Sequence, residues 1–78
     1  MSWRVLTSDT AFEGLSVAEQ ESVSVDLFAW VENGPPRQER RMLLGAQLFE
    51  DEIPSGFIVT YFVNETEHYA AIVRVRKT

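Results

Sequence analysis

Residues 16–36 read "SVAEQESVSVDLFAWVENGPP" and predict the main helix of this protein together with its end. Ser16 and Glu19 have the spacing of a capping box, in which a hydroxyl and a carboxylate satisfy free backbone N–H groups at a helix start. Apolar residues then recur at helical spacing and form one stripe: Val23, Leu27, Trp30 and Val31. Gly34 can adopt the left-handed conformation that ends a helix, and the proline after it cannot continue one. The pattern predicts a helix over about 16–33.

Strand patterns lie on both sides of this helix. Residues 3–8 alternate, with Trp3 and Val5 on one face, and predict a short N-terminal strand. After the helix, period-two patterns predict a three-strand antiparallel meander, with strands over 39–49, 57–63 and 69–77. The sequence therefore predicts an α+β fold, and residues 1–78 are short enough for one small domain.

The meander pattern also predicts which parts of each strand are buried. Both faces of 57–63 are apolar, which is typical of a central strand. Gly45 indicates a bulge or a close backbone approach within the first strand, and 50–56 reads as a loop in which Glu50, Asp51 and Glu52 are solvated. In the last strand we expect two faces, one with Ala71, Val73 and Val75 and the other with Ile72, Arg74 and Arg76.

Composition excludes several classes of protein. The chain has 78 residues, of which 45% are hydrophobic, so it can form a core and is not a disordered segment. It has no cysteine, which excludes disulfides and thiolate zinc sites, and its single histidine gives no basis for a metal site or a cofactor. Neither a signal peptide nor an apolar run of about 20 residues is present, so we expect a cytoplasmic protein that does not enter the membrane.

Charge is distributed unevenly along the chain. The net charge is −5, which disfavours general nucleic-acid binding. Six of the seven basic residues nevertheless fall in two stretches: Arg37, Arg40 and Arg41, then Arg74, Arg76 and Lys77. Guanidinium groups match phosphate oxygens, so convergence of the two stretches on one sheet would create an RNA-binding surface. The alternative is that these arginines only keep strand edges soluble and balance the acidic helix.

The order of these elements resembles the RelE/ParE toxin superfamily. The stretch "LFAWVENGPPRQERRMLLGAQLFEDEI" is similar to the family's helix end, Gly-Pro turn and following strand. "GFIVTYFVNETEHYAAIVRVRK" resembles the family's hairpin, in which a Tyr-containing strand is followed by an acidic turn and a strand ending in Arg. The resemblance implies a toxin held by an antitoxin. RelE-like members cut messenger RNA on the ribosome, and ParE-like members inhibit gyrase without nuclease chemistry.

The resemblance also implies roles for individual residues. The hairpin tyrosine corresponds to Tyr61 and the arginine near the end of the last strand to Arg76. We take these two, with His68 as a further acid–base candidate, as the predicted catalytic residues. The predicted RNA-phosphate ligands are Arg40, Arg41, Arg74 and Lys77.

Two hypotheses of function remain open from the sequence. The first is a toxin-like protein acting on messenger RNA and the ribosome or on gyrase. The second is a non-catalytic protein-interaction module, either an inactive relative of the toxins or an unrelated regulator, which would bind through its helix face and apolar sheet. The acidic net charge favours the second, as does Ile58, which stands where the family has a basic residue.

Overall fold

The structure is a computed structural model that describes residues 2–37, 40–43 and 46–77. Its elements are, in chain order, β1 (Arg4–Leu6), a 3-10 helix (Asp9–Phe12), α1 (Val17–Asn33), β2 (Arg40–Leu43), β3 (Ala46–Glu52), β4 (Phe57–Asn64) and β5 (Tyr69–Lys77). The strands form one mixed sheet in the order β1-β5-β4-β3-β2, in which β1 is parallel to β5 and the other neighbours are antiparallel. The predicted α+β fold is confirmed, with one strand more than expected.

The boundaries of α1 follow from the chemistry at its two ends. The backbone N–H of Glu19 donates to Ser16 Oγ over 3.1 Å, and the backbone N–H of Ser16 donates to Glu19 Oε1 over 2.8 Å. At the other end Gly34 has φ of 76° and donates its N–H to the Trp30 carbonyl over 2.9 Å. The predicted capping box and stop signal are therefore confirmed. Neither α1 nor any other helix in the described residues is long and apolar enough to cross a membrane.

The core lies between α1 and one face of the sheet. The predicted stripe supplies Val23, Leu27 and Trp30, all of which are buried. On the sheet, alternate residues of β4 are buried, and this strand occupies the middle position as expected. The Trp30 and Tyr61 rings meet with their centroids 4.7 Å apart, which joins the helix to the centre of the sheet.

The first strand of the predicted meander is instead a hairpin of two strands. β2 pairs with β3 so that Leu43 lies opposite Ala46, and Gly45 lies outside the described residues. β3 then continues to Glu52, so the prediction of a solvated loop over residues 50–52 is wrong. The reason is pairing with β4, which extends the ladder until the backbone of Ile53 and Gly56 closes a tight turn.

A bulge in β5 changes which residues face the core. Thr60 of β4 pairs with Arg74, whereas Tyr61 pairs with Ile72, so Val73 is an extra residue in β5. An extra residue shifts the alternation of side chains by one position. Ile72 is consequently buried and Val73 is exposed, which reverses the faces predicted for these two residues.

Gly34 combines a positive φ with a close contact to an aromatic ring. A Cβ at this position would lie 2.8 Å from Trp3 Nε1, while a Cβ at Gly14, whose φ is 89°, would meet nothing within 4 Å. We expect Gly14→Ala to lower the free energy of unfolding by about 1–2 kcal/mol through backbone strain alone. Gly34→Ala adds overpacking, for a total of about 2–4 kcal/mol. Urea denaturation of both variants measures the difference, and equal losses would show that the Trp3 contact is unimportant.

Candidate functional site

The sheet face that points away from α1 carries Arg74 and Arg76, two of the three predicted basic residues of β5. In the register, Arg74 lies opposite Thr60 and Arg76 opposite Ile58, and Thr60 lies in turn opposite Glu50. We define the open face by Leu48, Glu50, Ile58, Thr60, Phe62, Arg74 and Arg76, whose side chains share this side of the sheet. Its apolar members are half-buried, so the face is a mixed apolar and charged surface.

Arg76 forms an ion pair on the open face. Its Nη2 lies 3.1 Å from Glu50 Oε2, and the Thr60 hydroxyl donates to the same carboxylate oxygen over 3.3 Å. The Glu50 side chain is only 13% exposed, so water screens this pair less than it would a fully exposed one. A phosphate that binds Arg76 must therefore compete with a carboxylate already in place.

Lys77 also has an acidic partner, on the opposite side of the sheet. Its Nζ lies 2.7 Å from Glu19 Oε2, at the start of α1. The hydrogen bond from Lys77, together with those from Ser16, holds the pKa of Glu19 below its usual value. Lys77 thus links the end of β5 to the start of α1, and it lies on the other face of the sheet from Arg74 and Arg76.

Arg40 and Arg41 lie on β2, at the edge of the sheet. Two strands separate β2 from β5, which places the two strands about 14 Å apart. The register pairs Arg41 with Leu48 and Arg40 with Phe49. The predicted convergence of the Arg40 and Arg41 side chains with Arg74 and Arg76 stays a prediction.

Tyr61 is buried in the core. Its hydroxyl donates to the carboxylate of Asp51, itself buried, and accepts a hydrogen bond from the Arg37 backbone N–H over 2.8 Å. Burial first, and then the hydrogen bond to Asp51, raise the pKa of Tyr61 well above its usual value. This phenol therefore joins β4, β3 and the segment that follows α1.

His68 lies at the far end of β5 in the turn that precedes the strand. It has a positive φ of 55°, and its ring stacks on Trp3 with centroids 5.1 Å apart. The Arg37 guanidinium lies 5.5 Å from the Trp3 ring centroid and forms an ion pair with Glu65. His68 is thus part of a cluster that packs the turn against the N-terminal strand.

The three predicted catalytic residues do not meet in space. Arg76 is on the open face, and Tyr61 is on the opposite, core-facing side of the sheet. His68 is eight residues from Arg76 along one extended strand, a separation of about 26 Å. In the described part of the chain, no three histidine or carboxylate side chains gather as metal ligands would.

Three residues that organise this region were not among the predicted site residues. Trp3 and Arg37 hold His68 and Tyr61 in place, and Asp51 accepts from the Tyr61 hydroxyl. A signal for Asp51 existed, because it is two residues beyond the apolar Phe49 and shares its strand face. The contacts of Trp3 depend on long-range packing and leave no local signal.

An apolar groove runs between α1 and the segment that contains β1 and the 3-10 helix. The groove has a volume of about 220 Å³, and Val5, Phe12, Leu27, Phe28 and Val31 are among the residues that line it. On the helix beside it, Val25 is 73% exposed and Phe28 is 71% exposed. Isolated exposed apolar residues are ordinary, but a groove with adjacent exposed apolar side chains is typical of a binding surface.

Comparisons with known proteins identify the fold. No protein-family model matches the sequence, and no curated protein matches it significantly. Among solved structures, the chain is similar to the E. coli toxin RelE, solved as a double arginine-to-alanine mutant in the free state. The TM-score is 0.65 at 18% identity, and the match covers 99% of this chain and 84% of that one. The chain therefore has a RelE-like fold, as its element order predicted.

Tyr61→Phe tests the core hydrogen bonds. The buried Asp51 carboxylate loses this donor, and we expect the free energy of unfolding to fall by about 1–3 kcal/mol in urea denaturation.

The same substitution should change the pH dependence of stability. The raised pKa of Tyr61 keeps the phenol neutral in the folded chain, so its contribution is present below pH about 10 and is lost as the pH rises further. Tyr61→Phe should lose less stability than the wild type between pH about 9 and about 11. Identical slopes in that range would contradict the assignment.

Proposed function

We propose that this protein is a toxin-like component of a toxin–antitoxin pair that acts by binding proteins rather than by cutting RNA. The RelE-like fold supports the first part of the proposal, because the similar solved structure is named a toxin. The second part rests on the surface of this chain itself.

The observation that supports protein binding most strongly is the apolar groove beside α1. Phe28 and Val25 are each more than two-thirds exposed next to it, whereas Val23, Leu27 and Trp30 on the inner side of α1 are buried. Large exposed apolar side chains beside a groove gain free energy when a partner covers them. A domain of 78 residues has a thin stability margin, so the added burial would also stabilise it.

The charges argue against RNA cleavage as the main activity. Arg76 is paired with Glu50, Lys77 is paired with Glu19, and the chain carries a net charge of −5. The predicted acid–base residues, Tyr61 and His68, are engaged in packing away from Arg76. RNA would meet repulsion over most of the surface, and the described side chains offer it no grouped catalytic set.

RNA binding by the open face is a second candidate function. Arg74 and Arg76 are both exposed there. The E. coli protein was solved with two arginines replaced two positions apart, which is the spacing of Arg74 and Arg76. In this function Arg76 would leave Glu50 for a phosphate, and Lys77 would contribute only long-range attraction.

Induced expression in a bacterial host separates the two candidates. We expect growth to slow, and we expect Phe28→Glu to relieve the effect because a charge enters the apolar surface. The double variant Arg74→Ala with Arg76→Ala should remain inhibitory. Messenger RNA in a translation extract should stay intact with the wild-type protein.

Other outcomes decide against the proposal. Relief by the arginine variant alone, with RNA cleavage in the extract, would establish the second candidate. Normal growth at high levels of soluble, folded wild-type protein would refute the toxin-like role. Circular dichroism of each variant is the control, since Phe28 and Arg74 are exposed and their replacement should leave the fold unchanged.

A further inference from the structure

Building on the proposed function, we infer that the partner docks a basic, amphipathic helix along the outer face of α1 and into the adjoining groove. The spacing of exposed residues on α1, their charges and the short length of the neighbouring strand β1 all support such a partner.

The outer face of α1 presents one continuous stripe. Its members are Val17, Glu21, Val25, Phe28 and Glu32, all exposed, with successive spacings of four, four, three and four residues. Residues three or four apart lie on the same side of a helix, so these five side chains form a row. Apolar positions in such a row are the usual anchors for a second helix.

The charges of the stripe select a basic partner. Glu21 lies two turns before Phe28 and Glu32 one turn after it, so a carboxylate flanks the apolar centre on each side. α1 holds four acidic residues and no basic one: Glu19, Glu21, Asp26 and Glu32. Lysine or arginine on the partner, placed about one turn from its apolar anchors, would meet both carboxylates.

A second copy of this chain fits the stripe poorly. Packed antiparallel through Phe28, two copies of α1 would bring Glu21 of one near Glu32 of the other. If the two helices packed parallel, each glutamate would face the same glutamate of the other copy. Like charges opposed across an interface disfavour association, so the stripe favours a different chain of opposite charge.

The neighbouring edge strand is poorly suited to an extended partner. β1 is the edge of the sheet beside the groove, but it is only three residues long, Arg4–Leu6. Strand addition gains affinity from a row of main-chain hydrogen bonds, and three residues offer few. The stripe on α1 extends over 16 residues, about 24 Å along the helix, which is long enough for a helical segment of similar length.

The test uses designed helical peptides and the full chain. One peptide of about 15 residues, stapled to hold the helix, carries leucines at spacings of three and four with flanking lysines. A second peptide replaces every lysine with glutamate, and a third keeps the lysine composition but scrambles the order. Calorimetry measures the affinities, and NMR amide shifts locate the binding surface.

We expect the lysine peptide alone to bind, with the shifts confined to α1, β1 and the 3-10 helix. Affinity should fall about tenfold or more when salt rises from about 0.1 M to about 1 M, because the screening length shortens from about 10 Å to about 3 Å. Phe28→Ser and the double variant Glu21→Gln with Glu32→Gln should each weaken binding about tenfold.

Matched variants control for nonspecific effects. Val73→Ser removes an exposed apolar side chain outside the groove, and Glu52→Gln with Glu67→Gln removes two exposed charges elsewhere. Both should bind like the wild type. Equal binding of the lysine and glutamate peptides, binding of the scrambled peptide, shifts on the open face, or no binding at all would each overturn the inference.

The peptide experiment is independent of the growth assay. Selective binding of the lysine peptide with no growth effect would retain the docking surface and refute the toxin-like role. Growth inhibition relieved by Phe28→Glu, with no selective binding, would retain the proposed function and refute the basic helix as partner.

Discussion

The Tyr61 hydroxyl is the point on which the other contacts depend. It donates a hydrogen bond to the carboxylate of Asp51 on β3 and accepts one from the backbone N–H of Arg37, just after the helix. Its ring packs against the Trp30 ring of α1, and its centroid lies 5.7 Å from the centroid of the Phe49 ring on β3. Tyr61 therefore connects α1, the strands β3 and β4, and the segment that follows α1. A buried carboxylate is tolerated in so small a core only because such donors satisfy it.

Tyr61 therefore has a structural role in this protein, whereas the sequence motif implies a catalytic one. A phenol held neutral in a core is a good structural hydrogen-bond donor and a poor proton carrier for a substrate at the surface. Two basic residues of β5 also make structural contacts, since Arg76 and Lys77 each form an ion pair with a glutamate. Polar groups that resemble a catalytic set in the sequence thus connect strands and helix in three dimensions.

Local signals predicted the helix well, while long-range pairing decided the features that were missed. The capping residues, the apolar stripe and Gly34 all lie within one stretch, so α1 could be placed to within a residue. The division of the first meander strand into β2 and β3 and the bulge at Val73 arise from which strands pair, and no local pattern records that. For the candidate site, the exposed arginines of β5 were predictable. The engagement of Tyr61 and His68 in packing was not, because Asp51 and Trp3 approach from distant parts of the chain.

The pairing of β1 with β5 has a consequence for biosynthesis. Arg4 lies opposite Tyr69, so β1 joins the sheet through a strand that is synthesised after the other four. Contacts between residues so far apart in sequence are slow to form, because the whole intervening chain must be ordered first. During synthesis β1 consequently stays unpaired until β5 has emerged from the ribosome. Completion of the sheet then waits for its fifth strand, and a product truncated before β5 would lack the neighbour that β1 requires.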